Sequence, residues 1–311
     1  MISKTDTVLK IIQLGRLKLP LIAFLIFLFG VLLAVVSGVC FALDRFLLGS
    51  AIMLSAVLSV NYGNDYFDIE VDRYSKRTAF SGGSGILQEN PELGNFAKWF
   101  ALLMMSLSII LAAIFTVVFS YPIFFLMFVV AGNLLGWFYA APPLSLSYRG
   151  FSEITTVVAV GLMLPSLGYL ILKASLDLAF GVFALPCMLY ALAFIICVEI
   201  PDMESDRRGN KNTLIVRKGR KFGFILIIIS VSLASLWFLI VEVANFVHLS
   251  IDFRLIFLLS FLPLFLGVLG IARKTEDRDI ATKSASCEIS GLTVFLMTVN
   301  CYLYILAHIV R

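Results

Sequence analysis

Apolar residues in this chain come in long unbroken runs separated by short charged stretches. Runs without Asp, Glu, Lys or Arg cover residues 19–43, 46–64, 99–148, 154–172, 178–198, 222–241, 255–272 and 289–310. A membrane-spanning helix needs roughly 20 apolar residues, so most of these runs predict one span each. The run at 99–148 is too long for one and must fold back, most simply at Ser120-Tyr121-Pro122. The pattern predicts an all-α, polytopic membrane protein with nine transmembrane helices.

Composition removes the alternative of a soluble protein. Hydrophobic residues make up 60% of the 311 positions, and the mean hydropathy is +1.00. Orientation follows from Lys and Arg, which are retained on the cytoplasmic side. With nine spans, the N-terminal arm and the segments after spans two, four, six and eight share one face. That face holds 20 of the 24 basic residues, leaving Arg45, Lys173, Arg254 and Arg311 on the other. The arm is expected in the cytoplasm and the C-terminus outside. The net charge of +4 is this same bias and implies no nucleic acid partner. The first apolar run is too long for a cleaved signal peptide and reads as span one. Cys40, Cys187, Cys197, Cys287 and Cys301 lie in or near spans without CxxC or metal-type spacing, and read as packing residues. His248 and His308 sit alone at span ends, with no partner that would make either a catalytic base.

Two segments hold most of the ionisable groups, residues 65–98 after span two and 199–221 after span six. Each opens on carboxylates and continues into basic residues: Arg73, Lys76 and Arg77 in the first, and Arg207, Arg208, Lys211, Arg217, Lys218, Arg220 and Lys221 in the second. On a helix, residues four apart share a face. If span two continues past the membrane surface, Asn64, Asp68 and Asp72 form one acidic ridge. The second segment supplies Glu199, Asp202 and Asp206, with Pro201 predicting a break or kink where the carboxylates begin.

Carboxylates stacked at that spacing repel unless a cation lies between them. Hard oxygen ligands suit Mg²⁺, which is typically held by one or two carboxylates plus substrate phosphates. With basic residues just beyond each ridge, the arrangement reads as a diphosphate clamp at one face of a central cavity. A polyprenyl diphosphate fits such a site, its head on the metal and its tail among the spans. Metal on the diphosphate improves the leaving group, and aromatic faces would shield an allylic cation, from a supply of 28 Phe, 10 Tyr and 3 Trp.

At these residues the sequence resembles the UbiA superfamily of intramembrane prenyltransferases. The matching pieces are NDYFDIEVD, residues 64–72, for the family's NDxxDxxxD motif, and EIPDMESD, residues 199–206, for its second Asp motif. The resemblance implies one domain over residues 1–311, two Asp-rich cytoplasmic loops facing one cavity, and Mg²⁺-dependent prenyl transfer. It makes Asn64, Asp68, Asp72, Asp202 and Asp206 the metal ligands, the four aspartates the catalytic set, Lys76 and Arg77 diphosphate contacts, and Lys211 a further substrate-binding residue. Asp65 belongs to the motif, but its helix angle points it off the ridge. PDMESDRRGNKNTLIVRKG and YAAPPLSLSYRG resemble the branch that prenylates dihydroxynaphthoate in menaquinone synthesis, which implies an aromatic acceptor. Ser145 and Ser147 stand where many relatives have basic residues.

Several positions carry two readings. Arg16 and Lys18 either meet an acceptor carboxylate or fix topology. Tyr139 and Tyr148 either contact the acceptor or cation, or belong to the interfacial aromatic belt. Glu199 either tunes the metal or ends span six. FSGGSGIL, residues 80–87, either brings backbone N–H groups to an anion or is a flexible loop. The rival functions are the same chemistry on a glycerol-phosphate lipid, haem or sugar, and an ion-coupled transporter. The transporter reading is disfavoured because the carboxylates gather at one face, whereas transporter sites lie near the midplane. A phosphatidyl-type transferase would need a DGxxAR signature that is missing.

Overall fold

A computed structural model of the chain describes residues 4–245, 247, 249–273 and 275–309. His248 and Arg311 lie outside the described residues. The elements in order are α1 (Lys4–Leu14), α2 (Lys18–Val36), α3 (Leu43–Phe67), α4 (Ile69–Asp72), α5 (Ile86–Glu89), α6 (Gly94–Val118), α7 (Ile123–Ala140), α8 (Ser152–Thr156), a π-helical stretch (Val157–Met163), α9 (Leu164–Lys173), α10 (Leu178–Arg208), α11 (Leu214–Lys218), α12 (Arg220–Ala244), α13 (Phe253–Leu259), α14 (Phe261–Ala272) and α15 (Arg278–Ile309). No strand occurs among the described residues.

Nine helical pieces among the described residues are long and apolar enough to cross a membrane, as the hydropathy pattern predicts. The fold-back also falls where expected. α6 ends at Val118, Ser120 takes a positive φ of 54°, and Pro122, which cannot donate a helical hydrogen bond, precedes α7. Span five comprises α8, the π-helical stretch and α9, and span eight joins α13 to α14.

Lipid tails provide no hydrophobic drive between helices, so close approach depends on small residues and interhelical hydrogen bonds. The seam between α2 and α9 shows the first. A Cβ on Gly30 would lie 1.9 Å from the Pro165 carbonyl oxygen, and one on Gly168 would lie 2.0 Å from that of Phe27. Side-chain amides show the second. Asn133 of α7 donates to Ser108 Oγ of α6 (3.1 Å), which donates to the Ile52 carbonyl of α3 (3.1 Å). Asn300 of α15 donates to the Leu25 carbonyl of α2 (2.9 Å), tying the last span to the first.

Two elements depart from the pattern. α10 runs through Pro201 without a break, and arginines from two other helices hold this turn: Arg220 Nε donates to the Ile200 carbonyl (3.1 Å) and Arg278 Nη2 to the Pro201 carbonyl (3.0 Å). α15 begins well before its charge-free run and buries Glu288 beside α14, where a Cβ on Gly267 would lie 3.7 Å from Glu288 Oε2. The spans enclose a cavity of about 340 Å³, lined by α2, α3, α7, span five and α10, with the Asp motifs at one end.

Candidate active site

The first Asp motif is not one straight ridge. α3 ends at Phe67, Asp68 leaves helical geometry (φ −94°, ψ 6°), and residues 69–72 form a separate turn. This break turns the motif around the cavity, so Asn64, Asp65, Asp68 and Asp72 all line it. Asp65 lies before the break, and with Asn61, Asn64 and Asp68 it forms the i, i+3, i+4, i+7 stripe that faces the cavity, so its helix angle points it into the site rather than away. It is 2% exposed, accepts from the Ser84 N–H (3.1 Å to Oδ2) and lies 3.9 Å from Arg16 Nη1. The second motif is helical rather than a loop. Glu199, Asp202 and Asp206 sit in the last turns of α10 and all reach the cavity.

The two motifs meet through a lysine. Lys211 Nζ lies 2.7 Å from Asp68 Oδ2, and Tyr148 Oη donates to Asp68 Oδ1 at 2.8 Å. The Lys211 ammonium also stands 5.2 Å above the Tyr148 ring. Burial alone would lower the Lys211 pKa, but the charges of Asp68 and Asp206 outweigh it and hold the ammonium well above the ordinary lysine value. Burial first, then the Asp68 charge, pushes the Asp72 carboxyl up to about 8. The same two causes raise Tyr148, which keeps its phenolic proton.

The glycine-rich segment closes the mouth against the carboxylates. Gly82 N–H donates to Asp202 Oδ2 (3.1 Å), while Ser84 N–H serves Asp65. Gly83, at φ +65°, packs so close to Asp72 that a Cβ there would lie 2.1 Å from Oδ2. Backbone amides are brought to anions here, and the anions are the protein's own.

Other expected residues divide. Arg16 lines the cavity and donates to the Phe80 carbonyl (2.8 Å); Lys18 is exposed, 5.9 Å from the Phe80 ring centroid. Tyr139 lines the cavity, its Oη 2.8 Å from Ser152 Oγ, whereas Tyr148 reaches the site through Asp68. Lys76 and Arg77 are not at the cavity wall. The turn after Asp72 carries them outward, where Lys76 pairs with Asp279 (3.2 Å) and Arg77 with Glu89 (3.1 Å) and the Gly85 carbonyl (3.0 Å). Ser152 and Glu153, at the start of span five, were not singled out by sequence. Their signal was a carboxylate at a span entrance, the same as for Glu199.

Residues 23–300 match the UbiA prenyltransferase family. The chain belongs to this family. Among curated proteins it is similar to the 1,4-dihydroxy-2-naphthoate octaprenyltransferase of Bacillus subtilis (strain 168), 23% identical over 108 residues. That match spans 35% of this chain and 35% of the relative, about a third of each. Among solved structures it is similar to a UbiA homolog from Archaeoglobus fulgidus bound to DMAPP and Mg²⁺, with a TM-score of 0.64 at 16% identity over 91% of this chain and 99% of that one. An apo UbiA homolog from Aeropyrum pernix K1 gives 0.62 at 14% identity, covering 88% and 97%. A digeranylgeranylglyceryl phosphate synthase gives 0.60 at 18%, covering 94% and 99%. These structures share the UbiA fold with this chain.

The donor set of this UbiA-family site fits the metal that the resemblance implies. All candidate ligands are hard oxygens, and Asp202 Oδ1 is buried with no hydrogen-bond partner. Among the described residues no group of three His, Cys, Asp or Glu converges to hold an ion unaided. That suits Mg²⁺, which takes one or two carboxylates and fills its remaining positions with water and substrate phosphate.

Proposed function

We propose that this UbiA-family protein transfers a prenyl group from a polyprenyl diphosphate to an aromatic, hydroxylated acceptor such as dihydroxynaphthoate. The observation that carries the reading is the Lys211–Asp68 pair, which joins both acidic motifs over one cavity that is polar at one end and apolar below. Asn64, Asp68, Asp72, Asp202 and Asp206 would hold Mg²⁺, and Lys211 with Arg16 would meet the diphosphate. Bound there, Mg²⁺ supplies Lewis-acid stabilisation of the leaving diphosphate. The tail lies along Ile26, Met53, Val57 and Leu167. Phe128, Tyr139 and Phe194 on the cavity wall offer ring faces to the allylic cation.

The acceptor assignment is supported by the partial likeness to the dihydroxynaphthoate enzyme and by the second motif with its following basic stretch. An electron-rich ring attacks through carbon and then loses a proton. We place the protein in the membrane as a single domain over residues 1–311, with the arm and Asp motifs cytoplasmic and the C-terminus outside. The test is purified protein given radiolabelled prenyl diphosphate and a panel of acceptors: dihydroxynaphthoate, 4-hydroxybenzoate and glycerol phosphate. Faster transfer to an aromatic acceptor is expected. Transfer to glycerol phosphate alone would overturn the acceptor assignment and leave the metal site standing.

A further inference from the structure

A buried carboxyl in the cavity wall, Glu199, is not used by the metal or the diphosphate. Glu199 is 4% exposed and Glu153 is 3% exposed. Glu199 Oε1 accepts from Ser152 Oγ (2.7 Å), and that hydroxyl is 2.8 Å from Tyr139 Oη. Glu199 Oε2 is buried and receives no N–H or O–H donor, and the neighbouring buried carboxyl of Glu153 accepts from the Leu214 N–H. The cations on the cavity wall are committed elsewhere, Lys211 to Asp68 and Arg16 to the Phe80 carbonyl. Asp206 adds a further negative charge nearby.

Glu199 Oε2 has no donor competing for its lone pairs, which leaves that oxygen open to receive a proton. A buried, under-satisfied carboxylate is costly in a membrane protein, and a purely structural role would have filled both oxygens. Its placement is the second observation. Glu199 precedes Asp202 by three residues on α10, about 4.5 Å along the axis, which sets it on the side of the diphosphate site nearer the apolar cavity. That is where an acceptor must meet the first carbon of the prenyl group.

We propose that Glu199 is the base that takes the proton the acceptor loses, a proposal that rests on the prenyl-transfer reading. The bond from the first prenyl carbon to oxygen breaks, and its electron pair leaves with the diphosphate. The acceptor carbon or oxygen bonds to that carbon. The hydrogen it carried passes as a proton to the Glu199 carboxylate at Oε2, which becomes a neutral carboxylic acid. Nothing is oxidised or reduced. The role is the same for a ring carbon and for a hydroxyl, because each loses one proton on prenylation.

The test is transfer by purified full-length Glu199→Ala and Glu199→Gln, using the acceptor that the wild type prenylates fastest. Both variants should lose about 100-fold or more in kcat, with the KM for prenyl diphosphate within about threefold of wild type by the same reasoning on binding and chemistry. Added formate, a carboxylate small enough for the space left by the truncation, should restore Glu199→Ala in proportion to its concentration and should not restore Asp202→Ala. Should Glu199→Ala not fold, the isosteric Glu199→Gln decides: donor binding without transfer supports the base. A kcat near wild type in either variant overturns it, as does a folded Glu199→Ala that formate does not revive. A wild type that transfers to no acceptor contradicts the proposed function itself, and the base falls with it.

Discussion

Lys211 Nζ sits 2.7 Å from Asp68 Oδ2, so a residue that follows the second acidic motif neutralises a carboxylate of the first. Both side chains are about nine-tenths buried, and removing one partner leaves an uncompensated charge. Breaking such a pair typically costs about 3–5 kcal/mol. Lys211→Met is therefore expected to lower the thermal midpoint of the detergent-purified protein markedly. Lys211→Met with the wild-type midpoint would mean that Asp68 does not depend on Lys211.

Asp202 separates metal binding from packing. Its Oδ2 is held by one backbone N–H and its Oδ1 has no partner, so Asp202→Asn changes charge with little change in shape. Loss of a metal ligand should cost at least the roughly 10–100-fold typical of removing a mere supporting group. Transfer should fall by about 100-fold or more while the thermal midpoint stays near wild type. Near-normal turnover at saturating Mg²⁺ would remove Asp202 from the ligand set.

The raised Asp72 carboxyl gives the site a pH dependence with a definite sign. In the metal-free protein the carboxyl keeps its proton up to about 8, and Mg²⁺ must displace it. Mg²⁺ affinity should therefore rise with pH up to about 8 and level off above. The stability of the metal-free protein runs the other way, falling as pH rises from the ordinary 3.8 towards about 8, because the folded state holds the proton more tightly than the unfolded chain. Calorimetric titration at several pH values checks the first slope. An affinity independent of pH would contradict the assignment of Asp72.

Packing of span one on span five rests on two glycines. Gly168→Leu drives a side chain into the Phe27 carbonyl, 2.0 Å from where its Cβ must lie. Overpacking of this kind costs about 1–3 kcal/mol or more. The variant should purify poorly or melt early. Gly181→Leu, at a glycine with open space around it, should behave as wild type.

Much of this architecture is legible in the sequence. Each span announces itself by an apolar run, and Ser120-Tyr121-Pro122 marks the reversal because proline cannot continue the preceding helix. The start of α15 was hidden because a charged residue was read as a boundary, while Glu288 is buried inside the helix. Pro201 does not break α10, and Arg220 and Arg278 donate to the Ile200 and Pro201 carbonyls from elsewhere in the chain, contacts no local window contains. Asp65 reaches the cavity because the helix face through Asn61, Asn64 and Asp68 is wide enough to take in position 65, a stripe one residue broader than the strict i, i+4 ridge. Lys76 and Arg77 have the right charge and spacing for a diphosphate, but the turn after Asp72 sends them to Asp279 and Glu89. Lys211 is named as a substrate-binding residue from the sequence, but its pairing with Asp68 of the first motif is a long-range contact that only the fold shows.

If both Asp motifs hold one metal–diphosphate, donor binding is the most direct test. Affinity of the purified protein for a prenyl diphosphate should be measured with Mg²⁺ and with EDTA, for wild type, Asp68→Asn and Asp202→Asn. Tight binding is expected only for wild type with Mg²⁺, with a comparable loss on chelation or on substitution in either motif. An affinity that EDTA leaves unchanged, or that depends on one motif and not the other, would contradict a site shared by both motifs.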